Sequence, residues 1–158
     1  MILTIIRTLH SIRQNKTNTS ILFIANIGFF IWSFIMSITA LDLVSAAKKT
    51  ISLCDIETVK SDHSNHLVLD VREPAEYAAG CLPGAINIPR GVLEFKIGAH
   101  PAFQDSQDAK IFVYCLTGGR SALATEALNK LGYSHACSME GGFTLWKENG
   151  LQVDIPQT

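Results

Sequence analysis

The chain of 158 residues carries little charge and no excess of either sign. Thirteen lysines and arginines oppose 14 aspartates and glutamates, which gives a formal net charge of −1. Proteins that hold nucleic acid neutralise phosphates with clustered basic residues, and no basic stripe occurs in this sequence. The composition therefore argues against a nucleic-acid partner.

Cysteine and histidine are present, but neither is arranged as metal sites require. The four cysteines are widely spaced and contain no C-x-x-C pair, and the five histidines fall in no ligand-like spacing. This pattern argues against a zinc site and against a disulfide scaffold. No metal and no cofactor is predicted.

A long stretch near the N-terminus has no charge at all. Residues 17–41 are uncharged, and residues 21–41 are strongly apolar. As a helix this apolar run would be roughly 31 Å long, about the thickness of the hydrocarbon layer of a membrane. We therefore predict an N-terminal segment, residues 1–45, with a transmembrane helix at about 21–41. Basic residues flank both ends of this run, so the side of the membrane on which the protein lies stays open.

Two other interpretations of this segment stay open. The small residues Ser45-Ala46-Ala47 suit cleavage of a signal peptide near Ala47, which would export the protein. Alternatively, translation starts at Met36 and the protein is cytoplasmic. An amphipathic helix would then present a face that recurs at helical spacing, made of Ile38, Leu41, Val44, Ala47 and Ile51.

Downstream of residue 48, short apolar runs alternate with helical patterns. The runs at 67–71, 85–88, 111–114 and 136–139 predict strands. The segments at 55–61, 74–79, 121–131 and 143–148 predict helices, the third of them stopped by Gly132. Such alternation favours an α/β fold, a parallel sheet with helices on both faces.

The strand predicted at 111–114 leads directly into Cys115 and a glycine-rich turn. The residues that follow, before the next helix, are Leu116, Thr117, Gly118, Gly119 and Arg120. Two glycines let the backbone turn tightly and direct its N–H groups inward, and the helix start adds a positive dipole end. A thiol placed there is stabilised as thiolate. Because ligands of α/β sheets bind beyond the carboxyl ends of strands, we expect Cys115 to be a nucleophile rather than a core residue.

Four stretches of the chain together resemble single-domain rhodaneses, a family of sulfurtransferases. They are residues 70–77, 80–89, 115–121 and 141–146, within a domain at 48–155. The resemblance implies a rhodanese-like parallel sheet flanked by helices, here preceded by an N-terminal apolar helix. It also implies that Cys115 is the catalytic nucleophile, with the loop from Leu116 to Arg120 binding the substrate anion. Within that loop, the guanidinium of Arg120 would either hold the loop or meet an anionic donor. Cys115 would take sulfur from a donor such as thiosulfate and pass it from a persulfide to cyanide or a thiol acceptor.

The length of this loop favours sulfur over phosphate. Relatives that resemble protein phosphatases have five residues between the cysteine and the arginine, whereas this chain has four. The residue directly before Cys115 is Tyr114 and not a histidine. Leu116 and Thr117 lack the positive charge of some members that prefer thiosulfate. A protein persulfide or a small-molecule persulfide is therefore as plausible a sulfur donor as thiosulfate.

Other residues of these stretches have predicted roles of a different kind. Asp70 and Arg72 are expected to support the structure, with Arg72 pairing with Glu76 four residues on. Cys81 stands where rhodaneses usually have histidine. It is either a neutral replacement or a second thiol that closes a disulfide with Cys115. Two alternative functions follow: a module that carries or senses persulfides without turnover, and a redox protein with Cys81 or Cys137 as resolving thiol.

Overall fold

The domain is built on a five-stranded parallel sheet. A computed structural model describes residues 38–156 and places the strands in the order β1-β5-β4-β2-β3. The strands are β1 (Ser52–Cys54), β2 (Leu67–Asp70), β3 (Ile86–Asn87), β4 (Ile111–Tyr114) and β5 (Ala136–Met139). The four predicted strands are present, with ends shifted by no more than one residue. Sequence analysis missed β1, which has three residues, two of them exposed, and so forms no apolar run.

Helices cover both faces of this sheet, as predicted. They are α1 (Ala40–Lys48), α2 (Ile56–Asp62), α3 (Pro74–Ala78), α4 (Leu93–Lys96), α5 (Gly119–Lys130) and α6 (Gly142–Glu148). Single turns of 3-10 helix lie after α2 and on either side of α4. The α/β fold class is therefore confirmed. Helix α4 was not predicted, because four residues are too few to show a helical period.

Strand β4 lies inside the sheet, and its side chains alternate between two separate cores. We call the first the α5 core; its members are Leu69, Val71, Ile88, Leu93, Ile97, Phe103, Ile111, Val113, Cys115, Ala124, Leu128, Tyr133 and Ala136. We call the second the α6 core; its members are Cys54, Val59, Val68, Cys81, Leu82, Ala85, Phe112, Tyr114, Cys137, Met139, Phe143 and Trp146. Because strand side chains alternate with a period of two, Tyr114 and Cys115 face opposite sides of the sheet.

Helix α5 ends where the glycine predicts. Gly132 has a φ of +96°, and the N–H of Tyr133 donates to the carbonyl of Leu128 at 3.0 Å, as in a Schellman motif. Thr125 within this helix is buried although it is polar, whereas Leu131 at its C-terminal end is exposed although it is apolar. Helix α1 also packs against α5, so α5 contacts both the sheet and another helix.

Helix α1 begins with a capping box. The N–H of Asp42 donates to Oγ1 of Thr39, and the N–H of Thr39 donates to Oδ2 of Asp42. The last residues of the predicted span at 21–41 therefore start this helix, while the rest of the span lies outside the described residues. Of the face predicted from Met36, Ala47 is buried, whereas Ile38 and Leu41 are 72% and 77% exposed. Within residues 38–156, no helix is both long enough and apolar enough to cross a bilayer.

We expect Gly132→Ala to lower the free energy of unfolding by about 1 kcal/mol, because alanine is strained at a positive φ. Denaturant unfolding measures this difference. Gly98→Ala is the control, since Gly98 has no positive φ and an added Cβ meets nothing within 4 Å. Equal stability of the two variants would contradict the conformational argument.

Candidate active site

Cys115 lies at the carboxyl end of β4, in the turn that leads into α5. It is 1% exposed, and the N–H of Gly118 donates to its Sγ at 3.2 Å. Gly118 caps the helix with a φ of +100°, a left-handed conformation that the predicted tight turn required. Helix α5 begins at Gly119, two residues earlier than predicted. As at any helix start, its first N–H groups have no intrahelical acceptor. The sulfur therefore lies at the positive end of a helix.

Helix α6 holds this turn through the backbone. The N–H of Phe143 donates to the carbonyl of Cys115 at 2.8 Å, and the N–H of Thr144 donates to that of Leu116 at 3.0 Å. A Cβ on Gly142 would lie 2.5 Å from the Cys115 oxygen, so only glycine permits this approach. The sequence predicts a helix at 143–148, directly after Gly141 and Gly142, but it does not predict this contact. The signal was the glycine pair itself, since glycine often marks close backbone approach.

Arg120 connects the turn to α3. Its Nη1 and Nη2 donate to Oε2 and Oε1 of Glu76 at 2.7 and 2.8 Å, a two-pronged ion pair. These hydrogen bonds lower the pKa of Glu76 to about 2. Of the two roles predicted for Arg120, holding the loop and meeting an anionic donor, its contacts with Glu76 are those of the first.

Arg72 and Asp70 form a buried ion pair beneath the site. Nη2 of Arg72 donates to Oδ2 of Asp70 at 2.6 Å and to the carbonyl of Gly80 at 2.7 Å, and neither side chain is more than 2% exposed. The guanidinium lies 4.1 Å from the ring centroid of Phe143. The predicted pairing of Arg72 with Glu76 is wrong. Helix α3 begins only at Pro74, so the i, i+4 spacing of a helix does not apply to Arg72.

The other cysteines lie across the sheet from Cys115. Cys81 and Cys137 belong to the α6 core, whereas Cys115 belongs to the α5 core, and all four cysteines are free thiols. Burial raises the pKa of Cys81. The expected alternative of a disulfide between Cys81 and Cys115 is therefore not supported, because the sheet separates the two side chains. Cys137 is separated from Cys115 in the same way, so the two thiols are not in direct contact.

One protein-family model matches a segment that contains most of the sheet and the turn at Cys115. The model of the rhodanese-like domain matches residues 56–149, more than half of the chain. The chain belongs to the rhodanese-like family. A sulfurtransferase of Allochromatium vinosum is 30% identical over 97 residues, which cover 61% of this chain and 86% of that protein. The human thiosulfate:glutathione sulfurtransferase is 33% identical over 112 residues, which cover 65% and 96%.

Solved structures agree on the fold. Human single-domain sulfurtransferase TSTD1 superposes with a TM-score of 0.55 at 31% identity, covering 61% of this chain and 95% of that one. A protein of unknown function from Rhodopseudomonas palustris, described as a possible tyrosine phosphatase, gives a TM-score of 0.67 at 31% identity. That likeness covers 75% of this rhodanese-like chain and 96% of the other.

The pairing of Glu76 with Arg120 predicts a pH dependence of stability. Since the pair lowers the pKa of Glu76 from 4.5 to about 2, its contribution is complete above about pH 4.5 and is lost as the pH falls towards 2. Both side chains are about one-third exposed, so we expect Glu76→Gln to cost roughly 1 kcal/mol at pH 7. Denaturant unfolding of both proteins between pH 7 and pH 2 measures the difference.

The control is Glu57→Gln, which removes the more exposed pair with Lys60 and should change stability less. A difference between wild type and Glu76→Gln that stays constant down to pH 2 would argue against the ion pair as its source.

Proposed function

We propose that the protein is a sulfurtransferase that works through a persulfide on Cys115. The Cys115 thiolate attacks the outer sulfur of a donor such as thiosulfate, and the donor's S–S bond breaks as sulfite leaves with the electron pair. A thiol or cyanide acceptor then attacks the terminal sulfur of the persulfide. The bond to Cys115 breaks in this second step, and the thiolate is regenerated.

The observation that carries this proposal is the N–H of Gly118 directed at Sγ of Cys115. Both the thiolate and the persulfide carry negative charge, and a fixed donor at a helix start stabilises each of them. Leu116, Thr117, Gly118 and Gly119 form the rim that receives the anionic substrate, and Arg120 keeps that rim in place through Glu76. The names of the relatives support the same chemistry, because three of the four similar proteins described above are named sulfurtransferases.

Phosphatase chemistry is the second candidate, because one structural neighbour is described as a possible tyrosine phosphatase. Four residues separate Cys115 from Arg120, one fewer than in the phosphatase-like relatives. Arg120 is also bound at both of its terminal nitrogens by Glu76 rather than directed at the sulfur. A smaller rim without a free guanidinium suits a single sulfur atom better than a phosphate.

Donor, acceptor and location belong to the proposal as well. Thiosulfate is the donor that the names of relatives favour, and a thiol is the acceptor suggested by the human thiosulfate:glutathione enzyme. A protein persulfide partner is the alternative donor. Attachment to a membrane through residues 21–41 stays a prediction, as do export and a cytoplasmic start at Met36. The alternative, a module that carries persulfide without turnover, would form the same persulfide on Cys115 but would not pass the sulfur to an acceptor catalytically.

The test is a mass measurement on the full chain. After incubation with thiosulfate, we expect Cys115 to gain about 32 Da, the mass of one sulfur, and Cys115→Ser to gain nothing there. Cys81→Ser is the matched control and should keep the gain. A protein that acquires no adduct from thiosulfate or from a small persulfide would refute sulfur transfer, whereas an adduct that no thiol removes would indicate a carrier.

The Gly118 contact makes a separate prediction. Gly118→Ala should slow persulfide formation by about tenfold or more, because alanine is strained at a φ of +100° and its N–H leaves the sulfur. The rate of adduct formation measures this. Gly98→Ala is the control, because Gly98 lies outside the turn, its φ is not positive and an added Cβ meets nothing within 4 Å. Equal rates in both variants would contradict the proposed role of the Gly118 amide.

A further inference from the structure

Two cysteines that the proposed reaction does not use lie together at one edge of the sheet. Strand β1 stands at one end of the strand order, next to β5. In this parallel pair Ser52 lies opposite Cys137, and Cys54 lies opposite Met139. Because side chains alternate along a strand, Ser52, Cys54 and Cys137 project from the same face of the sheet. Cys54 and Cys137 are therefore diagonal neighbours, and both belong to the α6 core.

Cys137 also lines a pocket that opens at the surface. The pocket has a volume of about 450 Å³, and its lining includes Ser52, His66, Lys110 and Cys137. His66 and Lys110 directly precede β2 and β4, so the pocket lies where the strands begin. Cys115 follows the last residue of β4 and belongs to the core on the other face of the sheet. The pocket therefore gives a small solute a route to Cys137 that is separate from the Cys115 turn.

Lys110 brings positive charge close to this pair of thiols. Its strand neighbour Phe112 lies opposite Cys137 in the sheet, and the ammonium lies 4.8 Å from the centroid of the Phe112 ring. Hydrogen bonding with Cys54 and the charge of Lys110 lower the pKa of Cys137. Hydrogen bonding with Cys137, together with burial, raises the pKa of Cys54. Of the two thiols, Cys137 is thus the one that ionises, while Cys54 retains its proton.

We propose that Cys54 and Cys137 form a second, redox-active site, which hydrogen peroxide converts to a disulfide. Cys137 is the thiol that peroxide oxidises, and Cys54 is the thiol that resolves the product. Because β1 has three residues and stands at the edge of the sheet, it can move towards β5 and bring the sulfurs to bonding distance. This site does not depend on sulfur transfer at Cys115.

The reaction consumes one peroxide and releases two waters. The thiolate of Cys137 attacks one oxygen of the peroxide, the O–O bond breaks, and hydroxide leaves with the electron pair and takes up a proton. The sulfur of Cys54 then attacks the resulting sulfenic acid on Cys137. The S–O bond breaks, and the departing hydroxide takes up the Cys54 proton. The two thiols lose the two electrons that the peroxide gains, and an external dithiol returns them by thiol–disulfide exchange.

The test uses the full chain, because trypsin separates its cysteines. Cleavage after lysine and arginine places Cys54 in peptide 50–60, Cys81 in 73–90, Cys115 in 111–120 and Cys137 in 131–147. The folded protein is treated with hydrogen peroxide, quenched with catalase, unfolded in iodoacetamide and digested without reductant. We expect peptides 50–60 and 131–147 to be linked, about 2 Da lighter than the sum of their thiol forms. Dithiothreitol should separate them.

Variants assign the two roles. Cys54→Ser should prevent the link and leave Cys137 to gain two oxygen atoms as sulfinic acid. Cys81→Ser is the matched control, since Cys81 is buried in the same core, and it should keep the link. Lys110→Gln should slow formation of the link by about twofold or more, because less of Cys137 is thiolate. Lys130→Gln, which removes an exposed lysine on α5, should leave that rate unchanged.

The proposal is overturned if both thiols stay free under peroxide that oxidises free cysteine, or if either one links to peptide 73–90 or 111–120. Mixed links among all four peptides would show oxidation of an unfolded chain and would overturn it as well. Failure here is distinct from failure of sulfur transfer. Cys115→Ser, which accepts no sulfur from thiosulfate, should still form the link between Cys54 and Cys137.

Discussion

The site depends on two backbone segments that approach without a side chain between them. Gly142 lies so close to the carbonyl of Cys115 that a single methyl group would not fit. Two hydrogen bonds from the start of α6 then hold the carbonyls of Cys115 and Leu116. These contacts fix the plane of the peptide after Cys115, and so they influence where the following N–H groups point. The position of the Gly118 donor relative to the sulfur follows from that constraint.

Two arginines near the site serve the architecture. Arg72 is enclosed between Asp70, the carbonyl of Gly80 and the face of Phe143. Arg120 is committed to Glu76. Removing one partner of a buried pair such as Asp70 and Arg72 leaves an uncompensated charge, so these pairs resist change even where they take no part in chemistry. For the proposed anionic substrate, the donors that remain at the turn are therefore main-chain N–H groups such as that of Gly118.

Much of the fold was predictable from sequence because its signals are local. Apolar runs located β2, β4 and β5, and Gly132 marked the end of α5. The short elements β1 and α4 were not predicted, since three or four residues are too few to show a strand or helix periodicity in their apolar residues. The position of Cys115 was predictable from strand, glycines and helix start in order. The partners of Arg72 and Glu76 were not, because they depend on how α3 packs against the turn, and the closeness of Gly142 depends on contacts 27 residues apart along the chain.

The alternation of side chains along β4 has one more consequence. A persulfide is electrophilic, and a second thiolate that attacked the sulfur bonded to the chain would form an internal disulfide and release the outer sulfur as hydrosulfide. This chain contains three further thiols, yet all of them lie in the α6 core, behind the sheet that carries Cys115. In the proposed reaction, the sheet therefore separates a persulfide on Cys115 from these three thiols. Under that proposal, the sulfur carried by Cys115 stays available for an acceptor from outside the chain.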